Sequence, residues 1–131
     1  MSWQRAPVAK ALVIAMTVAA EAAADPVAVF DRQPTTLNPP ALVVGRPVEV
    51  RFSAFAYGID EADLPVHAVG PADGDDRVSD LIGLCRQAVA DDPTLGGTVT
   101  SCVASFERNW RWQTLGGVDL TVADVVLTVT M

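Results

Sequence analysis

The chain has a single lysine, Lys10, a single histidine, His67, a single tyrosine and only two cysteines in 131 residues. Each scarcity excludes something. With one lysine and no stripe of arginines, no basic footprint exists for tight capture of nucleic-acid phosphates. Two cysteines, Cys85 and Cys102, are too few and too widely spaced for a metal site. They read as buried free thiols that pack as small hydrophobes, with one disulfide as the alternative in an exported chain. His67 stands without a Gly-x-Ser-x-Gly, His-x-x-x-His or Cys-x-x-Cys companion, so it reads as a structural or surface histidine. No Gly-x-Gly-x-x-Gly or phosphate loop is present. The acids of Asp73–Asp76 lack the spacing of a calcium loop. The sequence therefore shows no catalytic residue, no metal ligand set and no cofactor site. No run reaches about 18 apolar residues, which argues against a membrane-spanning helix.

What is present is half hydrophobic and one-fifth charged, the composition of a packed domain. The length suits one domain over residues 1–131. The net charge of −7 is uneven. Asp60, Glu61, Asp63, Asp73, Asp75, Asp76, Asp80, Asp91 and Asp92 face only Arg77 and Arg86 between residues 60 and 92. Elsewhere acids and bases cancel. Such a block reads as a solvated face, or as a surface that repels a polyanion or meets a basic partner.

Val8, Leu12, Ala15, Met16, Ala19, Ala22 and Ala23 recur at helical spacing, which predicts an amphipathic helix over residues 8–23. The alternative is an export signal, with Ala22–Ala24 as its cleavage motif; Lys10, Thr17 and Glu21 interrupt the apolar run that a signal keeps. Asp25-Pro26 ends the helix. Short strands are predicted at 27–30 and 41–44, separated by a proline-rich connection. The segment VEVRFSAF alternates cleanly and predicts a strand with Val48, Val50, Phe52 and Ala54 on one face. Residues 56–63 read as a loop and LPVHAVGP as a short extended piece. Asp73, Asp75 and Asp76 precede a second helix, as capping and dipole residues. Its stripe is Val78, Leu81, Ile82, Cys85, Ala88 and Val89, and Asp91-Asp92-Pro93 stops it. The last third reads as strands, with a Gly116-Gly117 turn and a final face of Ala123, Val125, Leu127, Val129 and Met131. The fold class is α+β: a mainly antiparallel sheet packed against an N-terminal helix and a second central helix. Trp110 and Trp112 share one strand face, opposite Asn109, Arg111 and Gln113. Core packing and a protein interface are both open readings for them.

Taken in order, the N-terminal helix, VFDRQPTTLNPPALVVGRP, VEVRFSAF, LPVHAVGP, DRVSDLIGLCRQAV and the Gly-Gly turn before the last strand resemble a tail terminator protein. The likeness is to those of long-tailed, siphovirus-type bacteriophages, in particular actinobacteriophages. The resemblance implies a structural virion protein of the tail and neck, assembled in the host cytoplasm. It implies a homo-oligomer, a hexameric ring, that ends the tail tube and joins it to head-completion and neck proteins. No catalysis, cofactor or membrane is implied, and DNA passes through without specific binding. Trp110, Arg111 and Trp112 are then candidates for the subunit interface. Asp60, Glu61, Asp63, Asp73, Asp75 and Asp76 are candidates to face the DNA channel. The rival readings are another head–tail connector or head-closure protein, or a small exported bacterial protein with a cleaved signal and a Cys85–Cys102 disulfide.

Overall fold

The computed structural model describes residues 3–52 and 60–131. Its elements are α1 (Arg5–Ala22), β1 (Ala28–Phe30), β2 (Ala41–Val44), β3 (Glu49–Arg51), β4 (Glu61–Pro71), α2 (Asp75–Asp91), β5 (Ser101–Leu115) and β6 (Val118–Thr130). The sheet runs β1-β2-β4-β6-β5, and β3 pairs with β4. Only the β1–β2 pair is parallel. The expected α+β architecture, with both helices where the periodicity put them, is what the chain forms.

The side-chain period of two along β4 and β6 gives the sheet two unlike faces. Leu64, Val66 and Ala68 of β4 and Ala123, Val125, Leu127 and Val129 of β6 lie under the helices. Helix α1 adds Val8, Leu12 and Met16, each fully buried, and α2 adds Val78, Leu81 and Cys85. Each such aliphatic side chain contributes about 1.5–3 kcal/mol through its burial. Residues 8–23, read as folded helix or export signal, thus supply part of the core. Small residues let the helices sit close: Ala9, Ala15 and Ala20 of α1 and Ala88 of α2 are buried with them. Arg77 of α2 pairs with Asp25 just past α1 through Nη1–Oδ2 at 2.9 Å, tying the two helices together.

Three expectations needed correction. The cleanest alternating segment forms the shortest kind of strand. β3 covers only Glu49–Arg51, Val48 and Phe52 are exposed, and Ala54 lies outside the described residues. Alternation marks a half-buried strand only where something covers the apolar side, and nothing in the described chain covers this one. Conversely, the supposed loop ends early. Glu61–Asp63 already belong to β4, an 11-residue strand at the sheet's centre that absorbs LPVHAVGP. It was hidden because both faces are largely buried and Pro65 and Pro71 punctuate it. Finally, Gly74 is the N-cap of α2, with no side-chain cap. Asp75 and Asp76 sit in the first turn, where they act through the helix dipole rather than as caps.

The β5–β6 hairpin closes at Gly116 and Gly117, whose φ angles of 59° and 79° suit a two-residue turn that glycine permits. β5 pairs with β6 alone and is the sheet's long free edge.

Candidate functional site

The helix-free face of the sheet carries the polar chemistry. β6 places Asp124 beside His67 of β4 and Arg108 of β5, because these residues are cross-strand partners on one face. His67 Nδ1 lies 2.6 Å from Asp124 Oδ1, and Arg111 Nη1 donates to the same oxygen at 3.1 Å. Burial acts to raise the Asp124 carboxyl. The hydrogen bonds and charges of His67 and Arg111 outweigh it and hold the carboxyl below its ordinary value. Arg111 reaches Asp124 because β5 slips register between Arg108 and Arg111, with Asn109 at a φ of 56°. A bulge of this kind re-aims the side chains beside it.

Further along the same face, Arg51 bridges β3 to β4. Its Nε donates to Glu61 at 2.9 Å, and its Nη1 and Nη2 donate to Asp63 at 2.9 and 3.0 Å. The Arg51 hydrogen bonds hold the Asp63 carboxyl below its usual value, against the opposing effect of burial. At the other end of the face, a small apolar cluster of Leu37, Ala41, Val43, Val69, Leu120 and Val122 forms a second core.

Between these groups runs an open cleft of about 930 Å³. Arg5, Arg32, Arg46, Arg108 and His67 line it, and among the described residues Asp124 is its one carboxylate. Gly45 makes the cleft possible. A Cβ there would lie 2.7 Å from His67 Nε2 and 3.1 Å from the Pro65 carbonyl. Among the described residues no serine, threonine or cysteine lines the cleft beside the His67–Asp124 pair. Among the described residues no group of three or more His, Cys, Asp or Glu side chains could hold a metal ion. The four guanidiniums make the cleft electropositive, which suits it to an anion.

The residues picked out by sequence fall in separate places. Trp110 and Trp112 are 43 % and 86 % exposed, which removes the core-packing reading. They share a shallow recess with Asp75 at the start of α2, on the helix side of the sheet. The Arg111 guanidinium bonds Asp124 on the opposite face. The six acids divide as well. Glu61 and Asp63 hold Arg51, and Asp60 accepts a hydrogen bond from the Trp3 amide at 2.7 Å. Asp73, Asp75 and Asp76 are exposed around the start of α2. Sequence reasoning missed the arginine cleft entirely: Arg5, Arg32, Arg46 and Arg108 lie up to 103 positions apart. Cys85 and Cys102 are both buried and free, so the disulfide of the exported alternative is not formed. Burial pushes each thiol up to about 12. No helix among the described residues is long and apolar enough to cross a membrane.

A two-layer fold with an arginine-lined cleft, exposed tryptophans and a free sheet edge presents surfaces of the kind that protein contacts use. A family profile described as "Tail completion protein gp17" matches residues 8–129, and the chain belongs to that family. It is accordingly a structural component of a phage virion and not an enzyme. No curated protein matches the chain. Among solved structures, a chain of one described as "Virion of native gene transfer agent (GTA) particle" shares the fold. Its TM-score is 0.54 at 17 % identity, over 93 % of this chain and 90 % of that one.

Proposed function

We propose that this tail completion protein is a tail terminator: a subunit of a homo-oligomeric ring, hexameric, that ends the tail tube and joins it to the neck. The observation that carries the reading is the free edge of β5. The strand is 15 residues long and among the described residues pairs on one side only, with β6, and Val103, Phe106, Trp110 and Trp112 on it are exposed. A long edge with large apolar side chains is an aggregation hazard in a monomer and an asset in a subunit. Tryptophan is also favoured at the centre of protein contacts. Trp110 and Trp112 are assigned to the subunit interface. Arg111 supports them indirectly, by fixing the bulge through Asp124.

The two acidic groups take different roles. Glu49, Glu61 and Asp63 surround one guanidinium, Arg51, and Asp60 lies next along the chain bonded to the Trp3 amide, so their local charge stays negative. This group is assigned to the channel, where fixed carboxylates repel phosphates and let DNA slide. Asp75 lies beside the tryptophans, and with its exposed neighbours Asp73 and Asp76 it is assigned to the subunit contact.

Native mass spectrometry of the purified protein, alone and with isolated tail tubes, tests the reading. A ring of six 13.8 kDa subunits has a mass of about 83 kDa. A protein that stays monomeric under both conditions refutes it. Changing Asp60, Glu61 and Asp63 to Asn or Gln is expected to leave virion assembly intact and slow DNA ejection. Unchanged ejection removes the channel role alone.

A further inference from the structure

We infer that the arginine cleft on the helix-free face is the receptor for a neighbouring copy of this chain, taking the acidic, aromatic patch of Asp73, Asp75, Asp76, Trp110 and Trp112. The inference rests on the ring reading above and names the contact that would build the ring.

The charge distribution is the first support. The chain has eight arginines and a net charge of −7, yet four of the eight line one cleft. The isolated chain leaves them poorly matched. Arg5 donates to the backbone carbonyls of Val44 and Gly45, both at 3.0 Å, and to that of Asp31, and among the described residues it meets no carboxylate. Arg46 has no hydrogen bond or ion pair among the described residues. Arg32 pairs only with its neighbour Asp31, 3.5 Å away on the surface. Arg108 keeps a buried Nε with no acceptor. A buried donor left unpaired is costly, and a guanidinium is built for bidentate carboxylate binding. Asp124 cannot serve all four, because His67, Asn109 and Arg111 already occupy it. The cleft is thus short of negative charge.

The complement is on the same molecule but out of its own reach. Asp73, Asp75 and Asp76 form no ion pair among the described residues, and Trp112 is 86 % exposed beside Asp75. The cleft opens on the helix-free face and extends to Arg46, beyond β2. The cleft also reaches Arg108 on β5, and the acidic patch sits at β5 too, but on the helix side, the opposite face of the sheet. Two complementary patches on opposite faces of one subunit cannot close on each other. They can only be satisfied between copies, head to tail, which is the heterologous contact that generates rings. Double-stranded DNA could also be drawn to four arginines. The net negative charge and the free acids beside tryptophans favour the second copy.

The test uses charge reversal and covalent trapping. Arg46→Glu and Asp75→Arg, made singly, are each expected to weaken self-association roughly tenfold or more in sedimentation equilibrium. Combined in one chain they are expected to restore it, since each reversed residue meets the other in the neighbour. Circular dichroism confirms that each variant is folded. Independently, Arg46→Cys and Asp75→Cys in one chain are expected to oxidise to a covalent ladder ending at the ring size. Cys85 and Cys102 are buried and stay out of that reaction. If wild-type rings form but the single variants assemble equally well and no ladder appears, the docking inference fails and the ring reading stands. If Arg46→Glu leaves assembly intact and abolishes binding to a DNA duplex, the cleft is a phosphate site and the inference is overturned. If the wild type is monomeric even with tail tubes, both fall.

Discussion

Replacing Leu12 with alanine separates a core helix from a dispensable leader, and Ile14 provides its control two residues away. Leu12 is fully buried among α1, α2 and the sheet, whereas Ile14 on the same helix is 58 % exposed. Removing the Leu12 side chain deletes three carbons and leaves a cavity that surrounding residues can only partly fill. Measured Leu→Ala changes in such sites cost about 2–5 kcal/mol. The neighbours here include Val, Leu and Met side chains, of which Met16 can relax, so about 3 kcal/mol is expected. For a chain of this length that is a drop of about 10 °C in Tm. Ile14→Ala removes an exposed side chain and gains helix propensity, so its effect is expected within about 0.5 kcal/mol. Leu12→Asp puts an uncompensated charge in the same place and is expected to cost more than Leu12→Ala. Differential scanning calorimetry reads all three. Equal melting temperatures for the Leu12 and Ile14 variants would refute the reasoning and make the segment peripheral to the fold.

Other predictions concern acid, thiols and the cleft. The Asp63, Asp25 and Asp124 carboxyls lie below their unfolded values, Asp63 and Asp25 chiefly through Arg51 and Arg77, and Asp124 through His67 and Arg111 against burial. Their stabilisation is therefore complete above the unfolded carboxylate pKa of about 4 and is lost as pH falls through the lower folded values. Urea midpoints at pH 6 and pH 3 should show that fall, and Asp63→Asn should shrink it; identical pH profiles for the two proteins would count against the sign. Cys85 and Cys102, with pKa values pushed to about 12, are expected to ignore a thiol reagent at pH 8 in the native protein. Both should react in urea, and rapid labelling of the folded protein would contradict their burial. Gly45→Ala places a Cβ against His67 and the Pro65 carbonyl. It is expected to cost about 1–3 kcal/mol. The His67 imidazole resonances should shift, and an unperturbed spectrum would show that Gly45 does not shape the cleft.

How much could be read beforehand depended on locality. The stripe of α2 came through whole, and all six residues named for it are buried. α1 was nearly as clear, because helical periodicity is a property of neighbours three and four apart. The strands were less legible. β4 reads as punctuation and loop, yet it holds the sheet together because both its edges are paired. VEVRFSAF reads as a strand, yet of its described residues only Glu49–Arg51 form one, with Val48 and Phe52 exposed on either side. For the site, Trp110 and Trp112 were recognised as a pair on one face, and only the fold showed that this face is solvent. Arg111 was grouped with them because arginine, like tryptophan, is favoured at protein contacts; alternation already put it on the other face, where it bonds Asp124.

The sequence alone determined the local grammar: where helices start and stop, and where Gly116-Gly117 must turn. It also carried the order of elements through which the family is recognised. Tertiary structure alone decided the cleft. Arg5 comes from the first helix, Arg32 and Arg46 from loops, His67 from the central strand, and Arg108 and Asp124 from the last hairpin. No periodicity relates them. They meet because antiparallel register sets β4, β5 and β6 side by side, and because a glycine at the end of β2 leaves room for His67. Charge is legible along a chain only as a sum. Its sign at any one surface is fixed by which distant residues the sheet brings onto the same face.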